Sequence, residues 1–430
     1  MTCEITDGWK KIKLDEIINI KHGYGFKSKN FSDTPTNRIL LTPGNFNIGG
    51  GYTDSKLKFY KEDIDLDNQF ILEEGNLIIT MTDLSKKIDT LGFGALVPSD
   101  NYTYLHNQRI GLVNIKEGYN EHVSKNYLYW LMRTPNYQKY IANTSTGTTV
   151  HHTSPKTVLT YEFNLPPISE QKAIAETLST LDDKIDNNNK INENLEKQAQ
   201  SIFKHWFVDF EFPDENGNPY KSSGGEMIES ELGMIPKGWE VKKLGSISKI
   251  DNKSIKFPNK GLYNHYSIPA FTEKKLPISE DGLTIRSNKY KINNDHILFS
   301  RLNPRFKRLW RPICIGNNNV CSTEFLVIKS NENNLRNFLY SIMDSSKFYD
   351  FILQNVTGAT GSHQRVSPPS VVLEYKLAMP SIELIDRYVA VVNPIYKKKD
   401  CNMIASQKLS ELRDTLLPKL MSGEIRIPLD

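Results

Sequence analysis

Apolar residues recur at alternating spacings of four and three along two stretches of the chain. The first stretch runs Ile174, Leu178, Leu181, Ile185, Asn188, Asn192, Leu195, Ala199, Ile202 and Trp206. This is the 3.5-residue seam of a coiled coil, and it predicts one helix over residues 170–206. Its 37 residues would extend about 55 Å at ~1.5 Å per residue, several times an average globular helix. The seam recurs 214 positions later as Tyr388, Val392, Ile395, Lys399, Asn402, Ser406, Leu409, Arg413, Leu416 and Leu420. This second seam is weaker, and Leu412 is an alternative to Arg413. Asn188 and Asn402 hold equivalent seam positions. A buried Asn there fixes register at a cost in stability; the alternative is exposure in a frayed stretch. Ser169 and Glu170 suit a helix start, and Pro394 predicts a kink early in the second helix.

Each seam follows a body of mixed pattern. Short apolar runs predict strands at 76–80, 111–115, 296–300 and 324–329, and helical periodicity covers 125–140 and 334–354. The two bodies repeat one order of signals. Gly8-Trp9 matches Gly238-Trp239, 230 positions later. Leu165-Pro166-Pro167-Ile168 matches Met379-Pro380-Ser381-Ile382, and polar Gly/Thr/Ser/His loops precede both. Residues 213–234 carry turn signals and read as a linker. The expected organisation is a body at 1–167, a long helix at 168–212, that linker, a body at 235–380, a long helix at 381–424 and a tail at 425–430. The fold class is α+β: two similar globular bodies separated by two long helices that form an antiparallel coiled coil, a pseudo-two-fold internal repeat.

At 430 residues, with 38% hydrophobic and 24% charged residues, the chain has material for two to three domains. Fifty-four Lys+Arg against 50 Asp+Glu give only +4, so any basic surface must be local. Four scattered cysteines without a C-x-x-C pair argue against a disulfide framework and a zinc site. No long apolar run suggests a membrane span, and no leader pattern opens the sequence, so a cytoplasmic chain is expected.

The common catalytic cassettes are missing. Gly-Lys never occurs, which excludes a Walker A loop. Gly23-Tyr24-Gly25 and Gly92-Phe93-Gly94 lack the third glycine of a dinucleotide fingerprint. Asn393-Pro394-Ile395-Tyr396 resembles the cassette of N6-adenine methyltransferases, but no glycine-rich S-adenosylmethionine loop accompanies it, and it reads as a proline near a helix start. Pro213-Asp214-Glu215-Asn216 hints at a nuclease carboxylate pair but lies in the Gly/Asn/Pro/Ser-rich stretch and reads as linker.

The doubled Gly-Trp openings, Leu232-Gly233-Met234-Ile235-Pro236-Lys237-Gly238-Trp239, the helix entry from Leu165 to Ile174 with its Glu170-Gln171, and the ending from Leu416 to Ile425 resemble the specificity subunits of type I restriction-modification enzymes. The resemblance spans the chain in order. It implies that each body is a target-recognition domain reading one half of a bipartite, asymmetric double-stranded DNA target. It implies that the helices set the spacing and dock two methyltransferase subunits. It implies no catalysis and no bound cofactor in this chain; S-adenosylmethionine, ATP and Mg would belong to the methyltransferase partners and to motor/restriction subunits. Ser381-Ile382-Glu383-Leu384 lacks the Glu-Gln pair at the second helix entry, which leaves that start and its docking contacts open. The seam and docking residues are Ile174, Leu178, Leu181, Ile185, Asn188, Leu195, Ile202, Val392, Ile395, Asn402, Leu409 and Leu416.

Duplex DNA is read by side chains on base edges and positioned by Lys and Arg on phosphates. The stretch 301–311 carries five basic residues and no acid directly after a strand. Its candidates are Ser300, Arg301, Asn303, Arg305, Lys307, Arg308 and Arg311, with Arg suited to guanine and Asn303 to adenine. Phe306 and Trp310 either anchor this loop or touch DNA. The equivalent place in the first body starts at the DNA-binding candidate Thr80 and offers Thr82, Asp83 and Ser85 for base edges, Lys86 and Lys87 for phosphates, and Gln108 and Arg109 for either. Thr148, Thr149, His151 and His152 in one polar loop, and Thr360, Ser362, His363 and Arg365 in the other, suit phosphate contact. The histidines lack a carboxylate or Cys at ligand spacing, so no metal is expected.

Overall fold

The computed structural model describes residues 8–83, 85, 88–256, 260–273, 275–332, 335–357 and 364–428. The chain divides into two compact units, one of Met1–Asp186 with Ser406–Asp430, the other of Asn187–Ala405.

In the first unit the apolar run becomes the strand Leu77–Thr80, buried along its whole length. Leu77 and Ile79 face one apolar cluster, with Tyr127, Trp130, Ile174 and Leu178. Ile78 faces another, with Ile39, Leu41, Ala95 and Tyr104. A strand covered on both faces reads as a continuous apolar run, which is why the sequence lacks alternation here. It lies third in a four-stranded sheet ordered Ile18–His22, Ile110–Ile115, Leu77–Thr80, Gly94–Leu96. A five-stranded sheet, with the parallel pair Arg38–Leu40 and Thr103–Leu105 at its centre, covers one side.

The second unit repeats this plan. His296–Ser300 lies third in its own four-stranded sheet, with Ile297 and Phe299 facing one core and Leu298 the other. Its five-stranded sheet also centres on one parallel pair, Leu262–Tyr266 and Asn319–Ser322. Strand register carries the repeat to single residues. Lys10 pairs with Leu165, and Glu240 with Met379, at the same 230- and 214-residue offsets as the sequence motifs.

The two long helices are Ile168–Phe207 and Ile382–Ser422. In each unit early residues of one meet late residues of the other, so they run antiparallel there. In the first unit Ile174 and Leu178 share a core with Leu417, Leu420 and Met421. There Asp182 also takes hydrogen bonds from both Arg133 and Arg413. In the second unit Asn402 donates from Nδ2 to Asn192 Oδ1 at 3.0 Å, and the rings of Phe203 and Tyr388 lie 6.1 Å apart. Every residue of both seams is buried or half-buried. Asn188 and Asn402 are interior, not frayed.

Some expectations are settled and others change. Arg413, not Leu412, holds the seam: Leu412 is 46% exposed while Arg413 turns inward onto Asp182. The second helix is unbroken through Pro394, which lies on its exposed face between the buried anchors Val392 and Tyr396. Each shorter helix expected as one is two. Thr134 caps a new helix at Pro135–Thr144, and Ser345 caps another at Ser346–Gln354. The stretch 213–234 is a folded element rather than a plain linker. Tyr220 stacks on Phe212 at 4.6 Å, Phe212 on Trp239 at 5.3 Å, and Met227–Ser230 forms a hairpin with Gly233–Pro236.

The two helix entries are fastened by opposite chemistry. In the first unit the buried Glu170 carboxylate accepts from Trp9 Nε1 at 3.0 Å and from Arg426 Nη2 at 2.8 Å. Gln171 accepts from Ser124 N and donates to the carbonyls of His122 and Pro166. In the second unit the matching positions are Leu384 and Ile385, both in the apolar core. Arg426 is matched by Phe212: Ile425 N donates to Lys419 O where Glu211 N donates to His205 O. Ser381 Oγ caps this helix by accepting from Leu384 N at 3.3 Å, which supplies the start that the missing Glu-Gln pair left open.

Candidate nucleic-acid interface

In both units the chain leaving the buried central strand meets the polar loop found independently in the sequence. In the first unit Thr82 pairs with His152 and Asp83 with His151, and Thr153 N donates to Met81 O. In the second, Leu302 bridges Arg365, Asn303 N donates to Gln364 O at 2.8 Å, and Val366 N donates to Arg301 O. Met81 and Arg301 therefore hold equivalent places.

The side chains on this shared frame differ. In the first unit Asp83 is buried, and its carboxylate is saturated by Ser85 N at 2.5 Å, Thr90 N at 2.7 Å, Thr90 Oγ1 at 2.8 Å and Leu91 N at 3.1 Å. Burial raises its pKa, but the hydrogen bonds from Ser85 and Thr90 win and hold the carboxyl below its ordinary range. Thr80 is fully buried on the carbonyl of Thr90. Thr82 is buried with its Oγ1 3.1 Å from His152 Nδ1. The expectation that Thr82 and Asp83 read base edges, and that Thr80 contacts DNA, is thus corrected: they build the loop from inside. Ser85 is half-buried, its Oγ accepting from Asp89 N. His151 is half-buried, and Thr148, Thr149, His152, Gln108 and Arg109 are exposed. Backbone hydrogen bonds from Met81 N to Arg109 O and from Gln108 N to Tyr24 O place the 108–109 turn beside this loop.

Tyr24, 47% exposed, adjoins this turn, and Gly23 permits the close approach, because a Cβ there would lie 2.2 Å from the carbonyl oxygen of His106.

In the second unit Ser300 is buried and donates to Leu302 O, so it too supports rather than reads. Arg311 is turned away from the loop, paired with Asp400 and lying over the Tyr396 ring at 4.8 Å. These two expectations are also corrected. Lys307 pairs with Asp344 at 2.6 Å. Glu324 holds Arg365 at 2.9 Å and Arg301 at 3.7 Å. Arg308 reaches Leu302 O at 3.4 Å. Arg305 is exposed, without a carboxylate partner among the described residues. Asn303 makes the turn with φ 48°, a left-handed conformation that Asn tolerates, and its Oδ1 is enclosed without a partner. Lys86, Lys87, Thr360, Ser362 and His363 lie outside the described residues.

The two cassette-like stretches, 393–396 and 213–216, have structural roles. Tyr396 is buried inside the second long helix and Asn393 accepts from Asn337 Nδ2 at 2.7 Å. Asp214 accepts from Asn216 N and Asn218 N as a turn. Among the described residues no group of three or more His, Cys, Asp or Glu could hold a metal ion, and no helix is long and apolar enough to cross a membrane.

Comparison with known proteins follows the same division. The model of the type I restriction modification DNA specificity domain matches this chain twice, over residues 6–197 and 236–378. The specificity subunit of the type I restriction enzyme MjaIX from Methanocaldococcus jannaschii is 30% identical over 317 residues, covering 71% of this chain and 70% of that one. The specificity subunit of HindI from Haemophilus influenzae is 25% identical over 356 residues, 68% of this chain and 75% of that one. The crystal structure of a type I restriction-modification system S subunit from M. genitalium superposes with TM-score 0.57 over 98% of this chain and 97% of that one, at 16% identity, a likeness of fold. A doubled domain match over most of the chain, on a doubled fold, makes this chain a member of the type I restriction-modification specificity-subunit family.

Proposed function

We propose that each unit reads one half of a bipartite, asymmetric duplex target through the surface at the end of its central strand. One observation carries this reading: the same backbone junction, Thr153 to Met81 and Val366 to Arg301, presents different side chains in the two units. A repeated frame with unlike tips suits two readers of unlike sequence. The first unit offers Arg109, Gln108, His152, Thr148 and Thr149 at its surface; the second offers Arg305, Arg308, Arg301 and Arg365. Arg suits guanine and phosphate, and Gln suits adenine.

On this reading the long helices set the distance between half-sites and dock two methyltransferase subunits. N6-adenine methylation with S-adenosylmethionine, and cleavage driven by ATP and Mg, belong to the methyltransferase and motor partners, and this chain is non-catalytic. The helical setting of Asn393 and Tyr396 supports that division.

The test is a single-molecule map of N6-methyladenine in the host genome with and without the gene. Loss of methylation at one gapped, asymmetric motif is expected. An unchanged map, with the methyltransferase partner expressed, would leave a coiled-coil scaffold as the better description.

A further inference from the structure

We propose that Phe306 is a wedge that enters between adjacent base pairs of the half-site read by the second unit, selecting a step that unstacks at low cost. The proposal rests on the DNA-reading role above. Phe306 is 51% exposed and belongs to none of the apolar clusters of its unit. Trp310, four residues on, is 4% exposed and packs against Tyr266 at 4.7 Å and Phe271 at 5.4 Å, so Trp310 anchors the loop and Phe306 does not.

The loop that carries Phe306 is built to hold it outward. Pro304 is buried, Asn303 N is fixed on Gln364 O, and Phe306 N donates to Asn303 O at 3.0 Å. Lys307 is tied down on Asp344. An aromatic ring held in water by a fixed backbone loses the stabilisation that burial would give. The guanidinium groups of Arg305 and Arg308 lie over it, 4.9 and 5.3 Å from its centre. Such stacking is weak at an exposed site, so base edges and phosphates can draw the two cations away and leave the ring faces to bases. An apolar wedge flanked by cations matches a duplex, which offers stacked rings between two rows of phosphate. Pyrimidine–purine steps such as TA and CA open most easily and are the expected class.

The experiment selects bound molecules from a random-sequence duplex pool, using the full chain in its native complex. Wild type, Phe306→Ala and Phe306→Trp are compared. Wild type should enrich a TA or CA step at one position of one half-site. Phe306→Ala should lose about tenfold of that enrichment while every other position stays, and Phe306→Trp should keep it. Thymines at the step should react with permanganate in the wild-type complex and not with Phe306→Ala. A motif and permanganate pattern unchanged by Phe306→Ala overturns the wedge alone. Loss of subunits from the Phe306→Ala complex, with its DNA motif intact, overturns it in favour of a protein contact. A wild-type pool without any motif overturns the DNA-reading role and the wedge together.

Discussion

Glu324 holds Arg301 and Arg365 together, while Arg305 stands exposed without a carboxylate partner among the described residues. The five cations of 301–311 are therefore unequal, although the sequence shows them as one run. Arg305→Ala should relax discrimination at one base of one half-site by ~1–3 kcal/mol if its contact is bidentate. Competition binding with single-base variants reads this, and an equal loss on all sequences would mean a phosphate contact instead. What hid the inequality is that Asp344, Asp400 and Glu324, which take up Lys307, Arg311, Arg301 and Arg365, lie far along the chain or across a turn. A buried histidine should make the stability of the first unit depend on pH. His106 is fully buried, donates from Nε2 to Ile110 O at 2.9 Å, and is kept below its usual pKa by burial. The unfolded chain gains a proton below about pH 6.5 that the folded chain refuses, so stability falls as pH drops through that value. Unfolding free energies measured from about pH 7.5 to 5 should fall less steeply in His106→Gln than in wild type, and parallel curves would remove this histidine from the account.

The long helices were the most legible elements, because a seam of ten positions repeats the same geometric demand and every one of them is buried or half-buried. Their polar members were harder to read. Arg413 looked misplaced until Asp182 supplied its partner, and Asn402 was ambiguous until Asn192 faced it. Asn402→Leu should cost ~1–3 kcal/mol by leaving Asn192 buried and unpaired, while changing both to Leu should recover most of that loss. Denaturant unfolding of both single variants and the double variant checks this, and additive losses would deny the pairing. If the helices measure the target, one heptad added to each, in register, adds about 10 Å and should lengthen the spacer by roughly three base pairs. The methylated motif reads the spacer directly, and an unchanged gap would take the measuring role from the helices. The breaks at Thr134 and Ser345 were less legible, because a short cap interrupts a helix without disturbing its apolar periodicity.

Over the whole molecule the repeat was legible from two offsets, 230 and 214, which return as strand register. Sheet order was not, since pairing between distant short strands leaves no local trace. Nor was the meeting of 82–83 with 151–152, which joins segments almost seventy residues apart. Replacing residues 9–165 with the corresponding body of another family member should change one half of the methylated motif and leave the other. Change in both halves would deny that the bodies read independently. The division of the chain also sets an order of completion. The second unit is one uninterrupted stretch, 187–405, whereas the first is closed by residues from 406 onward. Leu417, Leu420 and Met421 complete its core, and Arg426 reaches the Glu170 carboxylate that also holds Trp9. During synthesis, then, the body that leaves the ribosome first is finished last. Its core lacks Leu417, Leu420 and Met421 until the second helix has been translated.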